Sequence, residues 1–539
     1  MAHFISRKAM ELENMKTLYE IFQYSTSRFS DRVQSSTLDG SAGRTYSAFR
    51  DECHGLSDIL SRHGIGHGDR VAILSGNTPN WSLAFFAITA FGRIAVPILP
   101  ESSENEVSNI LAHSGAKAVF VSRKLSDRIK NGEGLLLIDI DTLSFIVGNS
   151  PEMTGTDALC NSGDKDLLPD DPAAIIYTSG TTGKAKGAML SHRNLCRNIL
   201  ASYHAHPCDK NDIWLSVLPM AHTYELSLGV LYPFACGARV CYLGKTPTPA
   251  VLMSALKKAR PTIMLSVPLI IEKIYRNVII PAVNGNRLLS LMQSRLPALF
   301  YALLGHRLRK SFGGRLKFFG IGGAKLDMET EKFLKRAKFP YAIGYGMTET
   351  APLICTAGVG FTYPGTTGTP AYGVQAKLND ADPDTGIGEI VCKGENVMLG
   401  YYKDPERTAS VFTKDGWFRT NDLAFRDEKG RFSIKGRLNS VILGPSGENI
   451  YPEEIESVIN GMADVDESLV VQRGGRLVAL VRLKDGCHDK IDCLKKEIMD
   501  YVNRQVSRFS RISEIEFIKE AFEKTATHKI RRMKYCQAQ

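Results

Sequence analysis

Through the first 180 residues, short β-branched apolar runs alternate with apolar side chains at helical spacing. That alternation restricts the chain to an open, largely parallel α/β sheet. Residues 45–62 have helical spacing, and Gly68-Asp69 then turns the chain into the run Arg70-Val71-Ala72-Ile73-Leu74. Residues 81–91 read as a buried helix, and 94–99 and 117–122 as strands. Residues 148–171, rich in Gly, Asp and Asn, read as a linker to a second unit of the same grammar that reaches about Ala342. From Gly365 to Gly436 short strands are broken by turns such as Asp382-Pro383-Asp384-Thr385-Gly386 and Asp427-Glu428-Lys429-Gly430, which predicts a small β-rich subdomain. Strand signals at 468–471 and 477–483, with helical spacing at 493–509, predict a separate C-terminal α/β lobe. The expected division is a domain at 1–436, with subdomains of about 1–170, 171–342 and 343–436, and a lobe at 437–539.

A chain of 539 residues exceeds one compact core, and 43% hydrophobic with 23% charged residues describes an ordinary globular protein. Eleven cysteines form no CxxC pair; Cys236 and Cys241 fall on an expected buried strand. A reduced, cytoplasmic compartment fits that usage. The first residues lack the apolar core of a secretory signal. The apolar stretches 81–92 and 226–244 are too short, or broken by Pro233, Gly237 and Arg239, against the ~20 residues of a membrane span.

The net charge of +10 is unevenly spread. Residues 255–340 hold 17 Lys and Arg against 4 Asp and Glu, and residues 273–326 contain no acid. A solvated basic face is one reading. Attraction to anionic lipid headgroups, or to a ligand's phosphates, is the other. No zinc spacing or groove-reading basic helix supports nucleic acid as a partner.

After the strand signal Ala173-Ala174-Ile175-Ile176-Tyr177 come Thr178-Ser179-Gly180-Thr181-Thr182-Gly183-Lys184-Ala185-Lys186-Gly187, then the short strand Ala188-Met189-Leu190 and a helix N-cap at Ser191. Four hydroxyls, three glycines and two lysines within ten residues suit phosphate, because glycine admits an anion to the backbone and the cations neutralise it. A Walker-type loop is excluded: the glycine spacing differs, Ala185 follows Lys184, and the loop returns as a strand.

Residues 177–187 resemble the phosphate-loop signature of the adenylate-forming (AMP-binding) superfamily, which includes the acyl-CoA synthetases. Where that signature has a proline, this chain has Ala185, with Lys186 in register. Further segments resemble the family's in the same order. Leu218-Pro219-Met220-Ala221-His222-Thr223-Tyr224-Glu225 is similar to the segment whose histidine, here His222, borders the acyl pocket. Gly320-Ile321-Gly322-Gly323-Ala324 resembles the adenine-binding turn, and Tyr345-Gly346-Met347-Thr348-Glu349 the next motif. The resemblance implies that Tyr345 stacks on adenine, Thr348 touches phosphate and Glu349 holds Mg²⁺. Gly416-Trp417-Phe418-Arg419-Thr420-Asn421-Asp422 resembles the ribose-binding segment, with Asn421 in place of glycine; asparagine tolerates left-handed backbone angles. Lys435-Gly436-Arg437 follows, and Arg437 is implied to reach ribose or phosphate. The family's charged hinge position is Asn439. Ser446-Gly447-Glu448-Asn449-Ile450-Tyr451-Pro452-Glu453-Glu454-Ile455-Glu456 resembles the loop that lines the coenzyme A tunnel, where Ser446, Gly447 and Glu448 are implied to sit with Lys435 and Gly436. Lys524-Thr525-Ala526-Thr527-His528-Lys529 resembles the motif of the catalytic lysine.

The resemblance implies that a carboxylate oxygen attacks the α-phosphate of ATP, giving acyl-AMP, and that the thiol of coenzyme A then displaces AMP. Two anions meet in the first step, so positioning and charge neutralisation are the protein's task. Lys529, Glu349, Lys186 and His222 are the catalytic candidates. Thr178, Ser179, Gly180, Thr181, Thr182, Gly183, Gly322, Gly323, Ala324, Tyr345, Gly346, Met347, Thr348, Asp422 and Arg437 are the nucleotide-binding ones. The C-terminal lobe is expected to rotate between the steps.

Ser266-Val267-Pro268, Glu272-Lys273-Ile274-Tyr275 and Gly313-Gly314-Arg315-Leu316 resemble long-chain fatty acyl-CoA synthetases. Residues 286–312 between them are leucine- and arginine-rich and broken by Pro297, so they read either as a packed helical hairpin or as an anchor on the inner face of a membrane. Alternatives are an acyl-acyl carrier protein synthetase, an aryl or medium-chain acid–CoA ligase, and a non-catalytic nucleotide-binding protein.

Overall fold

The computed structural model describes residues 7–38, 43–130, 134–146, 167–178, 186–244, 248–443, 449–486, 491–525 and 530–536. It is a mixed α/β structure with a large N-terminal domain and a smaller C-terminal lobe. One sheet runs in the order Gly400–Tyr401, Lys186–Ser191, Pro172–Thr178, Ile94–Ile98, Arg70–Leu74, Ala118–Val121, Leu136–Asp139, Ser144–Phe145. Its five strands from Pro172–Thr178 to Leu136–Asp139 are parallel. The second runs Thr369–Pro370, Leu353–Ala357, Tyr341–Gly346, Phe318–Ile321, Ile263–Ser266, Ile213–Ser216, Arg239–Tyr242, Val33–Thr37, Arg44–Thr45, again parallel at its centre. The sheets interleave along the chain. Val33–Thr37 joins the second sheet, and Pro172–Thr178 with Lys186–Ser191 completes the first, so sheet membership does not follow linear boundaries near residues 170 and 342.

The helix Pro79–Thr89 is apolar all round because it is enclosed on every side; all its residues from Trp81 onward are buried. Thr78 caps it by accepting from Trp81 N, and Pro79 presets its first turn. Its Phe86 meets Phe22, Phe49 and Phe234 at ring-centroid distances of 6.1, 5.8 and 4.3 Å. These rings, each on a different helix, belong to one core that also takes in strand residues of both sheets.

A four-stranded antiparallel sheet, Val374–Asn379, Ile387–Gly394, Phe418–Arg426, Phe432–Arg437, matches the turn-rich texture of that region. The lobe pairs Arg476–Leu483 with Val465–Arg473 on one side and Glu514–Phe517 on the other, and packs the helices Pro452–Asn460 and Ile491–Gln505 around its own core. The expected strand holding both cysteines is corrected: Cys236 ends the short helix Tyr232–Cys236, and Cys241 alone lies on a strand. Pro233 follows closely on the π-helical turn Leu226–Leu231, whose wider hydrogen bonding accommodates a residue without an N–H inside a continuing helix. Residues 148–166 of the expected linker lie outside the described residues.

Residues 287–311 form the helices Arg287–Arg295 and Pro297–Ser311, separated where Pro297 was expected to break them. Leu289, Phe300, Leu304 and Leu308 pack inward, while Leu288 is 66% and Leu299 57% exposed. Among the described residues, no helix is long and apolar enough to cross a membrane.

Candidate active site

The predicted site residues that the structure describes converge at the ends of three sheets. Thr178 ends one strand and pairs with Lys186, which begins the next; Ser179, Gly180, Thr181, Thr182 and Gly183 between them lie outside the described residues. Ser191 ends that strand and caps the following helix through a reciprocal bond with Asn194, as its sequence position implied. Burial lowers the Lys186 ammonium below the usual lysine value, and the field of the Glu349 carboxylate opposes that shift.

Glu349 lies on the short turn Thr348–Thr350 and is 5% exposed. Buried amides hold this turn. Asn198 and Asn396 both donate to Thr350 O at 3.0 Å, and Leu353 N donates to Asn198 Oδ1 at 2.9 Å. Gly346, just before it, admits no side chain, since a Cβ there would stand 1.8 Å from Pro352 O. Tyr401 Oη donates to Glu349 Oε1 at 2.8 Å. The other carboxylate oxygen has no hydrogen bond to a described residue.

Asp422 gathers two further predicted residues. Tyr345 Oη donates to its Oδ2 at 2.8 Å, and Arg437 Nε lies 3.3 Å from Oδ1. Asn421, next to it, has φ of 58°, the left-handed conformation that its residue type permits. The turn Gly322-Gly323-Ala324 follows the strand Phe318–Ile321, with Gly323 at φ of 86°. The ring of Tyr224 packs beside Gly322, 3.3 Å from where a Cβ would stand. His222 caps the turn Thr223–Glu225, its Nδ1 accepting from Tyr224 N at 3.2 Å. Behind Tyr224 is an apolar cavity lined by Trp214, Tyr232, Leu265, Phe318 and Ile343.

Lys435 pairs with Glu454 of the lobe at 3.1 Å, and a Cβ on Gly436 would stand 3.0 Å from Glu453 Oε2, so the lobe helix lies directly on this strand. Asn439 is exposed on the turn Leu438–Ser440. Ser446, Gly447, Glu448 and Lys529 lie outside the described residues.

Residues 22–402 match the family of AMP-binding enzymes, and residues 454–529 match the AMP-binding enzyme C-terminal domain. The chain belongs to the AMP-binding enzyme family. It is 27% identical to the peroxisomal long chain acyl-CoA synthetase 7 of Arabidopsis thaliana, over 82% of this chain and 69% of that protein. It is 28% identical to 4-coumarate–CoA ligase 2 of Oryza sativa subsp. japonica, over 92% of this chain and 88% of that one. The ATP-bound crystal structure of MatB from Rhodopseudomonas palustris superposes with a TM-score of 0.76 at 25% identity, covering 96% and 99% of the two chains. This AMP-binding enzyme is an acid–CoA ligase, and the cosubstrates and metal of that class are ATP, coenzyme A and Mg²⁺.

The donor set fits Mg²⁺. No cluster of three ligating side chains occurs among the described residues, but Glu349 offers one carboxylate oxygen beside Lys186, and a hard cation completes such a site with phosphate oxygens and water.

Two features of this AMP-binding enzyme were not read from sequence. Tyr401 is one. The other is a polar chain behind His222: Asn77 Nδ2 donates to Leu218 O at 2.6 Å and Ser216 Oγ at 2.9 Å, and Met220 N donates to Asn77 Oδ1 at 3.1 Å. Ser216 Oγ in turn donates to Glu225 Oε1 at 2.6 Å. The run from Ser216 to Glu225 is thus tied to a loop of the other sheet, and nothing local in the sequence marks residue 77 for that contact.

Glu225 is 1% exposed, its Oε2 has no partner, and burial pushes its carboxyl from 4.5 up to about 8. Between those values the folded chain keeps a proton that the unfolded chain has released, so stability falls as pH rises through the window. Glu225→Gln keeps an acceptor for Ser216 and removes the ionisation. Thermal melts are expected to match the parent at about pH 5 and exceed it at about pH 9. An equal loss at both would contradict a buried protonated carboxyl.

Proposed function

We propose that this acid–CoA ligase acts on long-chain fatty acids, converting acid, ATP and coenzyme A into acyl-CoA, AMP and pyrophosphate. The observation that supports the chain length is the helical hairpin at residues 287–311. Leu288, Leu291, Leu296 and Leu299 are exposed there, beside Arg287, Arg295, Arg307, Arg309 and Lys310, within an acid-free stretch. Leu269, Val278 and Ile280 on the preceding helices expose more apolar surface. Such a surface suits an anionic bilayer holding a dissolved long-chain acid, and so a peripheral position on the membrane's inner face.

In the first step a carboxylate oxygen bonds to the α-phosphorus of ATP, and the bond from that phosphorus to pyrophosphate breaks. We assign the β- and γ-phosphates to Lys186 and residues 178–183, the adenine to Tyr345 and the turn Gly322-Gly323-Ala324, and the ribose to Asp422 and Arg437. Lys529 offsets the charge between carboxylate and α-phosphate, and His222 borders the acid. Mg²⁺, when bound, neutralises phosphate charge, with Glu349 as its protein ligand. In the second step the thiol sulfur bonds to the acyl carbon, AMP leaves, and the thiol proton is released. The lobe at 437–539 turns about Asn439 against the body at 1–436, and Lys435, Gly436, Ser446, Gly447 and Glu448 line the thiol's path.

A second reading, a planar aromatic acid, is favoured by the rings of Trp214, Tyr224, Tyr232 and Phe318 around the cavity. Acids of graded chain length, with 4-coumarate and benzoate, assayed against coenzyme A and acyl carrier protein, test both. The long-chain reading requires turnover rising with chain length and coenzyme A as acceptor; turnover confined to the aromatic acids would replace it.

The surface has its own test. Reversing charge at Arg307, Arg309 and Lys310, all exposed, is expected to weaken sedimentation with anionic vesicles at low salt by at least about 100-fold, since losing each cation alone costs ~1 kcal/mol. Activity on detergent-dispersed acid is expected to persist. Unchanged sedimentation would remove the membrane contact.

A further inference from the structure

Tyr401 touches two groups of opposite charge, Lys186 and Glu349. Its two-residue strand Gly400–Tyr401 pairs with the strand that begins at Lys186, Gly400 opposite Met189 and Tyr401 opposite Ala188. Backbone bonds on both sides hold that register: Leu399 N donates to Met189 O at 2.9 Å and Tyr402 N to Gly187 O at 2.8 Å. Thr408 Oγ1 accepts from Tyr401 N at 2.8 Å, and Met398 N donates to Glu349 O at 2.8 Å. The same short segment therefore anchors to the Lys186 strand and to the backbone of Glu349.

The side chain continues this arrangement. Tyr401 is 4% exposed, its hydroxyl donates to Glu349 Oε1 at 2.8 Å, and Lys186 Nζ lies 5.4 Å from its ring centroid. A phenol donating to a carboxylate is a strong bond, and the ring face attracts an ammonium. Lys186 lies in the field of the Glu349 carboxylate, yet no ion pair within 4.0 Å joins these two described residues. A direct pair would spend the cation on the carboxylate before any phosphate arrived.

We propose that Tyr401 is a positioning residue that keeps Lys186 and Glu349 apart, fixing one carboxylate oxygen and leaving the other for the metal that accompanies the nucleotide. The inference rests on the assignment of Glu349 to Mg²⁺ and Lys186 to phosphate. Tyr401→Phe removes the hydroxyl and keeps the ring; Tyr401→Leu removes both.

The test uses the full chain with Mn²⁺ as a spectroscopic probe and an ATP analogue carrying a methylene bridge between its α- and β-phosphates. Free Mn²⁺ is read by electron paramagnetic resonance, and analogue binding without metal by calorimetry. Tyr401→Phe is expected to weaken Mn²⁺ binding on the order of 10-fold, the usual effect of losing a group that orients a metal's ligand, and to leave metal-free analogue binding unchanged. Tyr401→Leu is expected to weaken both. Glu349→Gln, measured alongside, separates the two ideas. If it weakens Mn²⁺ binding and a folded Tyr401→Phe does not, the positioning role is overturned while the metal assignment stands. If Glu349→Gln has no effect, the metal assignment fails and the proposal with it. Equal losses with and without metal in Tyr401→Phe would show a packing role and also overturn it.

Discussion

Lys529→Ala is expected to lower acyl-AMP formation by roughly 10²–10³-fold while sparing thioester formation from supplied acyl-AMP. The asymmetry follows from charge. Joining a carboxylate to a phosphate brings two anions together, and one ammonium group between them lowers that barrier. Thiol attack on the finished acyl-AMP involves no such encounter. The chain just beyond this lysine abuts the large domain: Arg531 Nη2 is 3.6 Å from Glu106 Oε1, while Arg532 pairs with Glu456 at 2.7 Å inside the lobe. If Lys529 were only a solvated lysine beside Arg531, Arg532 and Lys534, its loss would change stability by ~0.5 kcal/mol and leave both rates intact. Both half-reactions are to be measured on one folded preparation. An equal loss in both would contradict the assignment.

Glu349→Gln is expected to fold normally and to lose adenylation by about 10- to 100-fold, with part of the loss restored by added Mg²⁺. The substitution preserves shape on a turn already fixed by Asn198 and Asn396, and Tyr401 keeps an oxygen to donate to. What disappears is the negative charge proposed to face the metal. Initial rates across an Mg²⁺ titration, with thermal melts as the folding control, check this. Near-normal turnover at limiting Mg²⁺ would take Glu349 out of the metal role.

Much of the site was legible because its parts are contiguous. The run from Tyr345 to Glu349 occupies one strand end and turn, and Asn421-Asp422 carries its own left-handed angle, so residue type and order identified them. The enclosed helix of Trp81 was legible too, since an all-round apolar helix has nowhere to lie but inside. Sheet order was not. Val33–Thr37 pairs with Arg239–Tyr242, and Gly400–Tyr401 with Lys186–Ser191, across some 200 residues, and pairing at that range leaves no period in the sequence. Cys236 was misplaced for a related reason. An apolar run buried on all sides reads alike as strand or helix, and only the fold decides between them. Asn77 and Tyr401 escaped because their importance lies in what they touch, residues 52 to 215 positions away.

The most direct test of the account omits coenzyme A. The protein is mixed with ATP labelled at the α-phosphate, Mg²⁺ and either palmitate or 4-coumarate, quenched, and the adenylate separated from AMP. Palmitate is expected to give enzyme-bound palmitoyl-AMP with an equal amount of pyrophosphate, formed far more slowly in Glu349→Gln and Lys529→Ala, and 4-coumarate little or none. Adenylate formed from 4-coumarate and not from palmitate, or from neither acid by a folded, nucleotide-binding chain, would contradict it.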